Sequence, residues 1–348
     1  MKNILLILTC ILGVHSLQGQ IHFAPRLDSK DAASILNRTL LVKIYEVDEK
    51  AIAAWTNEEK QEYRKWVEDN NELVKTSFEK YWGLHKTPQF KSALAIDKAV
   101  EAEPDKYAVF TYLPFVEGSF TTDPGANVSP YAYKLMLPNK GKLVTSTISL
   151  STGNKAETEM EFKFILLNMG KYLNACAGGK SHRDTSLYNA KKNYQILTAK
   201  TLLFDEEMLN VQRLSKEDAK KMYPHKMSYS NAEDIYKAVE KADSSILYMT
   251  YVFNASYNVW MYAIVDPSTM NVIAMQAPNR VHFGLGKQYE SNMSAQSKAA
   301  KFGGSPYSYK QPYIIWKSRP RIELDERDFQ YLGSKITVDR NYSNPLNR

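Results

Sequence analysis

Apolar and polar positions follow the same pattern twice along this chain. In each half, a stretch of aliphatic and β-branched residues precedes charged segments whose apolar residues recur at helical spacing. Short matches occur in the same order in both halves: Thr39–Val42 with Thr201–Phe204, His85–Lys86 with His225–Lys226, Lys98–Glu101 with Lys237–Glu240, Thr111–Tyr112 with Thr250–Tyr251, and Tyr131–Pro138 with Trp260–Pro267. Ordered matches of this kind indicate an internal duplication.

The second half shows the order of elements most clearly. Ser215 with Asp218 predicts a helix start, and Pro224 must end that helix soon afterwards. Ser230 with Glu233 predicts the start of the next helix. The predicted elements are strand 195–204, the short helix, strand 226–229, the second helix with Ile235, Ala238, Val239 and Ala242 on one face, strand 246–253, and a hairpin of 259–265 and 272–275 around the turn 266–269.

The first half repeats this order with a longer first helix. Aromatic and apolar residues at helical spacing across Asn57–Trp82 predict an insertion that lengthens or doubles that helix. Strands are predicted at 106–113, 131–137 and 142–150, and the loop 114–130 is long for a hairpin connection. Residues 156–177 favour a helix, although Met160, Phe162, Phe164 and Leu166 also alternate as in a strand.

Together these patterns predict an α+β fold of two tandem similar β-α-β-α-β-β-β units, with an added helix in the first unit and an irregular aromatic tail. The predicted boundaries are 20–150 for the first unit, 151–192 for a helical linker, 193–281 for the second unit and 282–348 for a Tyr-rich C-terminal tail. We expect the two units to pack about a pseudo-twofold axis.

Residues 1–19 have the layout of a secretory signal peptide, with Lys2 before the apolar run Ile4–Val14. The run is too short to span a bilayer, so we expect an exported protein, periplasmic or extracellular, without a transmembrane anchor after processing. Lipidation at Cys10 is the alternative, but neither Gly nor Ala precedes that cysteine. Cleavage would leave Cys176 alone, so no internal disulfide is expected.

The composition is that of an ordinary globular protein, with 44% hydrophobic and 24% charged residues in 348. The formal net charge is +7, but lysines alternate with acids along most of the chain. A nucleic-acid groove needs clustered cations, so we expect no nucleic-acid partner.

Two motifs next to each other suggest chemistry but have simpler explanations. Gly178–Ser181 resembles the end of a phosphate-binding loop, yet the preceding glycine and strand of that motif are missing. Cys176 and His182 would suit nucleophilic catalysis only if the fold brought them within hydrogen-bond distance. A helix end followed by a linker, and an inert core thiol, are the simpler readings.

The remaining titratable residues give no catalytic or metal signature. His85 and His225 occupy equivalent positions, where a duplicated fold would either bring both to one interface or use each to bind backbone. Carboxylate pairs of the kind that hydrolyse glycosides occur at Glu206–Glu207 and at Asp325–Glu326 with Asp328. We predict no catalytic residue, no metal ligand and no cofactor.

Aromatic residues in the C-terminal tail are the remaining feature of the sequence that indicates a binding surface. The tail contains Tyr307, Tyr309, Tyr313 and Trp316 close to two prolines. Tyr and Trp are enriched at binding surfaces, so these four residues are the predicted ligand- or partner-binding set, with a strand laid over a sheet as the alternative.

The short signal segment ending near Gly19-Gln20, the abundant Lys, Asn and Tyr, and the Thr-Leu-Leu opening of each unit resemble the uncharacterised secreted and periplasmic proteins of Bacteroidota. That resemblance implies an envelope location and no known activity. The leading hypothesis is an exported non-enzymatic protein that binds a partner, an envelope protein or a glycan, in an oligomeric state that the sequence leaves open. The alternatives are a hydrolase acting on envelope polymer or glycan, and a small-molecule carrier.

Overall fold

A computed structural model describes residues 27–50, 52–53, 55–85, 87–114, 131–138, 147–150, 159–179, 190–209, 213–254, 259–276 and 324–332. The predicted signal peptide, most of the long loop 114–130 and most of the tail lie outside these residues. The helices are α1 Ser29–Asn37, α2 Asn57–Tyr81, α3 Ala93–Ala102, α4 Glu159–Ala177, α5 Ala190–Ala199, α6 Lys216–Met222, α7 Ala232–Glu240 and α8 Glu326–Leu332. The strands are β1 Thr39–Ile44, β2 Gln89–Ser92, β3 Tyr107–Pro114, β4 Tyr131–Met136, β5 Thr147–Leu150, β6 Thr201–Asp205, β7 Met227–Ser230, β8 Ile246–Asn254, β9 Val259–Asp266 and β10 Asn271–Gln276.

The described strands form two five-stranded sheets with one shared topology. The first sheet has the order β2-β1-β3-β4-β5, and the second has the equivalent order β7-β6-β8-β9-β10. In each sheet the first three strands are parallel and the last two are added antiparallel. The predicted α+β fold of two similar β-α-β-α-β-β-β units is therefore confirmed.

The long helix of the first unit is one continuous element rather than two. Helix α2 begins at a capping box, in which the Thr56 hydroxyl accepts from the Glu59 backbone N–H and the Glu59 carboxylate accepts from the Thr56 backbone N–H. It has 25 residues, whereas its counterpart α6 has seven, begins at the predicted Ser215 cap and ends before Pro224. The insertion lengthens the helix.

Two local predictions in the second unit are wrong. Residues 195–199 belong to helix α5, and the strand begins at Thr201. Burial of Leu197 against the second sheet outweighs the β-branched content of this segment. Asn231, rather than Ser230, caps helix α7, because its side chain accepts from the Asp234 N–H at 2.9 Å.

Each unit also begins with a helix that the sequence patterns did not predict. Helix α1 precedes β1 as α5 precedes β6, and one residue separates helix and strand in both cases. Ile35 and Leu197 occupy equivalent positions on these helices and are both buried. The repeated unit is therefore longer than predicted.

Helix α4, placed in the predicted linker, lies in the largest hydrophobic core. Buried residues surround it on nearly all sides, as expected for a helix without a polar face. Its core members are Phe162, Phe164, Ile165, Leu166, Met169, Tyr172, Leu173 and Cys176. The same core contains residues of both sheets, including Phe110 of the first and Val265 of the second.

The two units present different faces to α4. On the first sheet, the core contains residues of the face covered by α2, which include Leu40 and Val42. The equivalent residues of the second sheet, Leu202 and Phe204, instead pack with α5, α6 and α8 in a separate core. A twofold arrangement requires the same face from both units. The packing is therefore head-to-tail, and the expected pseudo-twofold axis is wrong.

Polar contacts fix α4 to the turn between β9 and β10. The Asn168 side-chain amide donates to the carbonyl oxygens of Phe164 and Met270, both at 2.9 Å. Lys171 Nζ donates to the Thr269 carbonyl and to the Asn271 side chain. These bonds orient the helix on the second sheet, which apolar packing alone does not do.

We predict that Leu166→Ala destabilises both units together. Leu166 is fully buried in α4, and Leu→Ala at such sites lowers the free energy of unfolding by about 2–5 kcal/mol. Hydrogen exchange measured by mass spectrometry should accelerate in β1 and in β8. Leu94→Ala is the control, because Leu94 is 58% exposed. Faster exchange in one sheet alone would contradict the shared core.

Candidate functional site

A lysine inside the first sheet is the most unusual titratable residue that the structure describes. Lys43 lies on β1, and its side chain alternates with Val42 so that it shares a face with Leu41, which packs against α3. Only 9% of Lys43 is exposed. Lysine is almost never this buried unless it is paired, and the Asp97 carboxylate on α3 lies close enough to act on its charge.

Burial lowers the pKa of Lys43 to about 8, and the nearby Asp97 carboxylate on α3 only partly opposes that effect. A drop from 10.5 to about 8 corresponds to roughly 3 kcal/mol of unfavourable interaction with the charged amine. An apolar residue in this strand would avoid that penalty. Residues that destabilise a fold in this way cluster at functional sites.

Further polar residues continue from Lys43 across the sheet in one row. Lys91 on β2 pairs with Lys43, and Lys134 on β4 pairs with Thr111. Continuing the β1–β3 register by one residue places Thr111 beside Lys43. Thr111 is 1% exposed, and its hydroxyl has no hydrogen-bond partner among the described residues. A buried hydroxyl of this kind is costly unless it binds something.

Helix α3 begins at the same edge of the sheet. Ser92 ends β2 and caps α3, so the first turn of the helix lies where the parallel strands have their carboxyl ends. The first turn carries no acidic residue. Helix N-termini favour anions, and the carboxyl ends of parallel strands are where ligands bind in open α/β sheets.

The second unit provides an internal comparison for this row. The positions of Lys43, Lys91 and Lys134 are taken there by Asp205, Ser230 and Ala263, in the same register. Ala263 is fully buried in the core around α4. Since the shared fold does not require lysine at these positions, the basic row is a property of the first unit alone. We call Lys43, Thr111, Lys91 and Lys134 the basic row.

The first part of α2 extends past this edge of the sheet. The Asn71 side-chain amide bonds both backbone groups of Tyr45, at 2.8 and 2.9 Å, just after β1 ends at Ile44. Residues 57–70 precede this contact and form about 20 Å of helix, at ~1.5 Å per residue. We call this segment the helical arm. The counterpart of α2 in the second unit, α6, has seven residues and is too short to form such an arm.

Aromatic rings connect the arm to Lys43. The Lys43 ammonium lies 5.9 Å from the Tyr45 ring centre, and Tyr45 lies 5.7 Å from Trp66. Tyr63 stacks on Trp66 at 6.0 Å and meets Trp55 edge-on at 5.6 Å. Tyr63 is buried with Ile52 and Val67 beneath the other rings, which are partly exposed. We call Tyr45, Trp66, Tyr63 and Trp55 the aromatic ledge.

The predicted binding residues Tyr307, Tyr309, Tyr313 and Trp316 lie outside the described residues, so their role stays a prediction. The described part of the tail is Leu324 and the segment that follows it. Leu324 forms a parallel bridge with Leu209, and helix α8 packs Phe329 against Phe204 at 5.2 Å. This segment belongs to the second hydrophobic core.

Cys176 is a core residue, as the simpler reading proposed. It is 3% exposed, and burial raises the pKa of its thiol although a hydrogen bond with Tyr172 opposes the rise. A buried thiol with a raised pKa is a poor nucleophile. Gly178 and Gly179 end α4, with Gly179 at φ 74, which is a helix C-terminus rather than part of a phosphate-binding loop. His182 lies outside the described residues.

The two equivalent histidines occupy the same place in each unit and do not meet in one site. His85 Nδ1 accepts from the Trp82 indole N–H at 3.0 Å, so Nε2 carries the proton and donates to the Ile35 carbonyl at 2.9 Å. Burial lowers the pKa of His85. His225 lies between the rings of Tyr194 and Tyr223, and burial lowers its pKa as well. His85 connects the segment after α2 to α1, and His225 connects the segment after α6 to α5.

The fold brings the two predicted carboxylate segments together, but structural contacts occupy them. The Leu209–Leu324 bridge places Glu206 near the start of α8. Glu206 pairs with Lys216, and the Asp328 carboxylate accepts from the Asp325 backbone N–H at 3.0 Å. Ion pairing therefore accounts for Glu206, and helix capping accounts for Asp328.

One more charged cluster joins the two units. Lys80 and the Tyr81 hydroxyl donate to Glu159 Oε1 at 2.8 and 2.5 Å. Burial alone would raise the pKa of Glu159, but these hydrogen bonds hold it below its usual value. A general acid needs a raised pKa, so this carboxylate is suited to fixing α2 against α4.

No family model, curated protein or solved structure matches this chain. Among the described residues, no group of three or more His, Cys, Asp or Glu side chains is arranged to hold a metal ion. None of the described helices combines the length and apolar character that a membrane span requires.

Sequence reasoning missed the basic row, although one signal was available. In the segment Thr39–Ile44, alternation places Lys43 on the same face as Leu41, inside a strand that reads as buried on both sides. Its duplicate in the second half carries Asp205. A charge at a buried register position that differs between two copies of one fold indicates a specialised site.

We predict that Lys43→Met raises the free energy of unfolding at pH 7, by up to roughly 3 kcal/mol. Below pH 8 both the folded and unfolded states bind the Lys43 proton, so the wild type carries the full penalty. Between pH 8 and 10.5 the unfolded state binds more protons, wild-type stability rises, and the advantage of the variant shrinks.

Denaturant titrations from pH 7 to 10.5 measure this difference. Lys98→Met, on the exposed side of α3, is the matched control and should change the free energy of unfolding little. Equal or lower stability of Lys43→Met at pH 7 would show that the buried amine is well compensated in the fold.

Proposed function

We propose that this protein is an exported binding protein that holds an anionic ligand at the basic row. The observation that carries the proposal is the burial of Lys43 at the carboxyl edge of the first sheet, beside the buried Thr111 hydroxyl. Export follows from the sequence of residues 1–19 and stays a prediction.

The chemistry of the row suits a carboxylate, phosphate or sulfate group. A protonated lysine and a hydroxyl supply charge-assisted and neutral hydrogen bonds, and the start of α3 adds the positive end of a helix dipole. An anion in contact with Lys43 would offset the cost of burying its charge. Ligand binding would therefore stabilise the fold and raise the pKa of Lys43.

Binding without catalysis is the better reading of the same residues. Among the described residues, Asp97 is the carboxylate that acts on the Lys43 pKa, and the rest of the row consists of Lys91, Lys134 and Thr111. A glycoside hydrolase would instead need two opposed carboxyl groups, one with a raised pKa. Glu159, between the units, has a lowered pKa. No specific observation on the described residues favours the hydrolase or the carrier.

We predict that inorganic phosphate binds the wild-type protein and that Lys43→Met weakens this binding at least about tenfold. Hydrogen bonds to charged groups contribute about 1.5–3 kcal/mol, and each 1.4 kcal/mol is a factor of ten. Thr111→Val keeps the shape of the side chain and should weaken binding less. Isothermal titration calorimetry at pH 7 and low ionic strength measures both effects.

Lys98→Met again serves as the control, because it removes an exposed charge from the same helix that covers the row. Phosphate should bind this variant as it binds the wild type. Equal affinity for wild type and Lys43→Met, or no binding by the wild type of phosphate, sulfate or acetate, would contradict the proposed function.

A further inference from the structure

We infer that the ligand is an acidic saccharide, with its acid group at the basic row and its sugar rings along the aromatic ledge. This inference rests on the proposed function of the row and adds the class of ligand. It is carried by the continuity of Lys43 with Tyr45 and of Tyr45 with Trp66, at 5.9 and 5.7 Å.

The ledge is built to keep its rings in place. Tyr63 is only 7% exposed, and it supports Trp66 by stacking and Trp55 by an edge-on contact. Beneath them, Ile52 and Val67 form a small apolar core for the arm. Rings fixed from below lose little conformational entropy when a ligand covers them.

The rings and their surroundings fit the surface of a sugar. A pyranose has apolar C–H faces and a rim of hydroxyl groups, which matches the amphipathic faces of Trp and Tyr. The exposed pair of Arg64 with Glu49, bonded at 2.8 and 3.2 Å, borders the ledge with donors and acceptors for hydroxyl groups.

The mixed charges on the surface of the helical arm favour a ligand with few charges over a polyanion. The exposed positions of the arm carry Glu58, Glu62, Glu68 and Asp69 as well as Arg64 and Lys65. This mixed surface does not favour a polyanion such as nucleic acid, which needs clustered cations. It fits a chain whose charge lies at one end, against Lys43, with neutral sugars along the arm.

The second unit lacks both halves of this site. It has Asp205 in place of Lys43, and its helix α6, the counterpart of α2, is too short to form an arm. The lysine and the ledge are thus two departures from the shared fold at one edge of one sheet. Their occurrence together supports a single ligand that uses both.

The test compares three probes by isothermal titration calorimetry. These are aldotetrauronic acid, which is a xylotriose carrying one glucuronic acid, then neutral xylotetraose, and glucuronate alone. We expect aldotetrauronic acid to bind at least about tenfold more tightly than either of the others, because it contacts both the row and the ledge. Trp66→Ala should remove that advantage and leave the binding of glucuronate and phosphate unchanged.

Tyr236→Ala, which removes a partly exposed ring from α7 of the second unit, is the control and should bind all three probes as the wild type does. Circular dichroism spectra of Trp66→Ala and of the wild type should agree, which checks that the variant is folded. In the wild type, tryptophan fluorescence should change with aldotetrauronic acid and not with phosphate, which tests the ledge without any substitution.

Each outcome separates this inference from the proposed function. If phosphate and glucuronate bind through Lys43 but the tetrasaccharide gains nothing, the saccharide inference is wrong and the anion site remains. If a tetrapeptide of three alanines and one glutamate shows the same dependence on Trp66, the ligand is an acidic peptide and the inference is wrong. If no anion binds the wild type, both proposals fail.

Discussion

The burial of helix α4 on nearly all sides is the constraint on which the rest of the structure depends. Because its apolar residues have no solvent-facing stripe, one sheet cannot cover it. It therefore packs on the α2 face of the first sheet and on the opposite face of the second, and the core around it contains residues of both units. The bonds from Asn168 and Lys171 then fix which way the second unit lies.

This head-to-tail packing gives equivalent positions of the two units different surroundings. In the second sheet the face that contains Ala263 is closed by α4, so it must be apolar there. In the first sheet the same face packs on α3 in an apolar cluster that includes no residue of α4, and a polar row at the carboxyl edge is tolerated. The asymmetric packing of two similar units thus leaves the carboxyl edge of the first sheet as the place for the anion site that we propose.

The sequence predicted the fold well and the site poorly, for a physical reason. The cap at Ser215 and the helical spacing across Asn57–Trp82 depend on residues close in sequence, and ordered matches link the two halves, so the two units and most elements could be predicted. The sequence around Lys43 does not show that its side chain is buried, because the burial comes from β2, β3 and α3, which are distant in sequence. The wrong strand at 195–199 has the same origin, because Leu197 takes its conformation from the core it joins.

We propose that the buried Lys43 ammonium, which Asp97 compensates only in part, binds an anion at the carboxyl edge of the first sheet. The most direct measurement is an NMR titration of the Lys43 amine with ¹³C-labelled lysine, assigned by the signal that Lys43→Met removes, with and without phosphate. We expect a pKa near 8 in the free protein, and a higher value with phosphate bound because the anion favours the protonated amine. A pKa near 10.5 that phosphate does not change would contradict it.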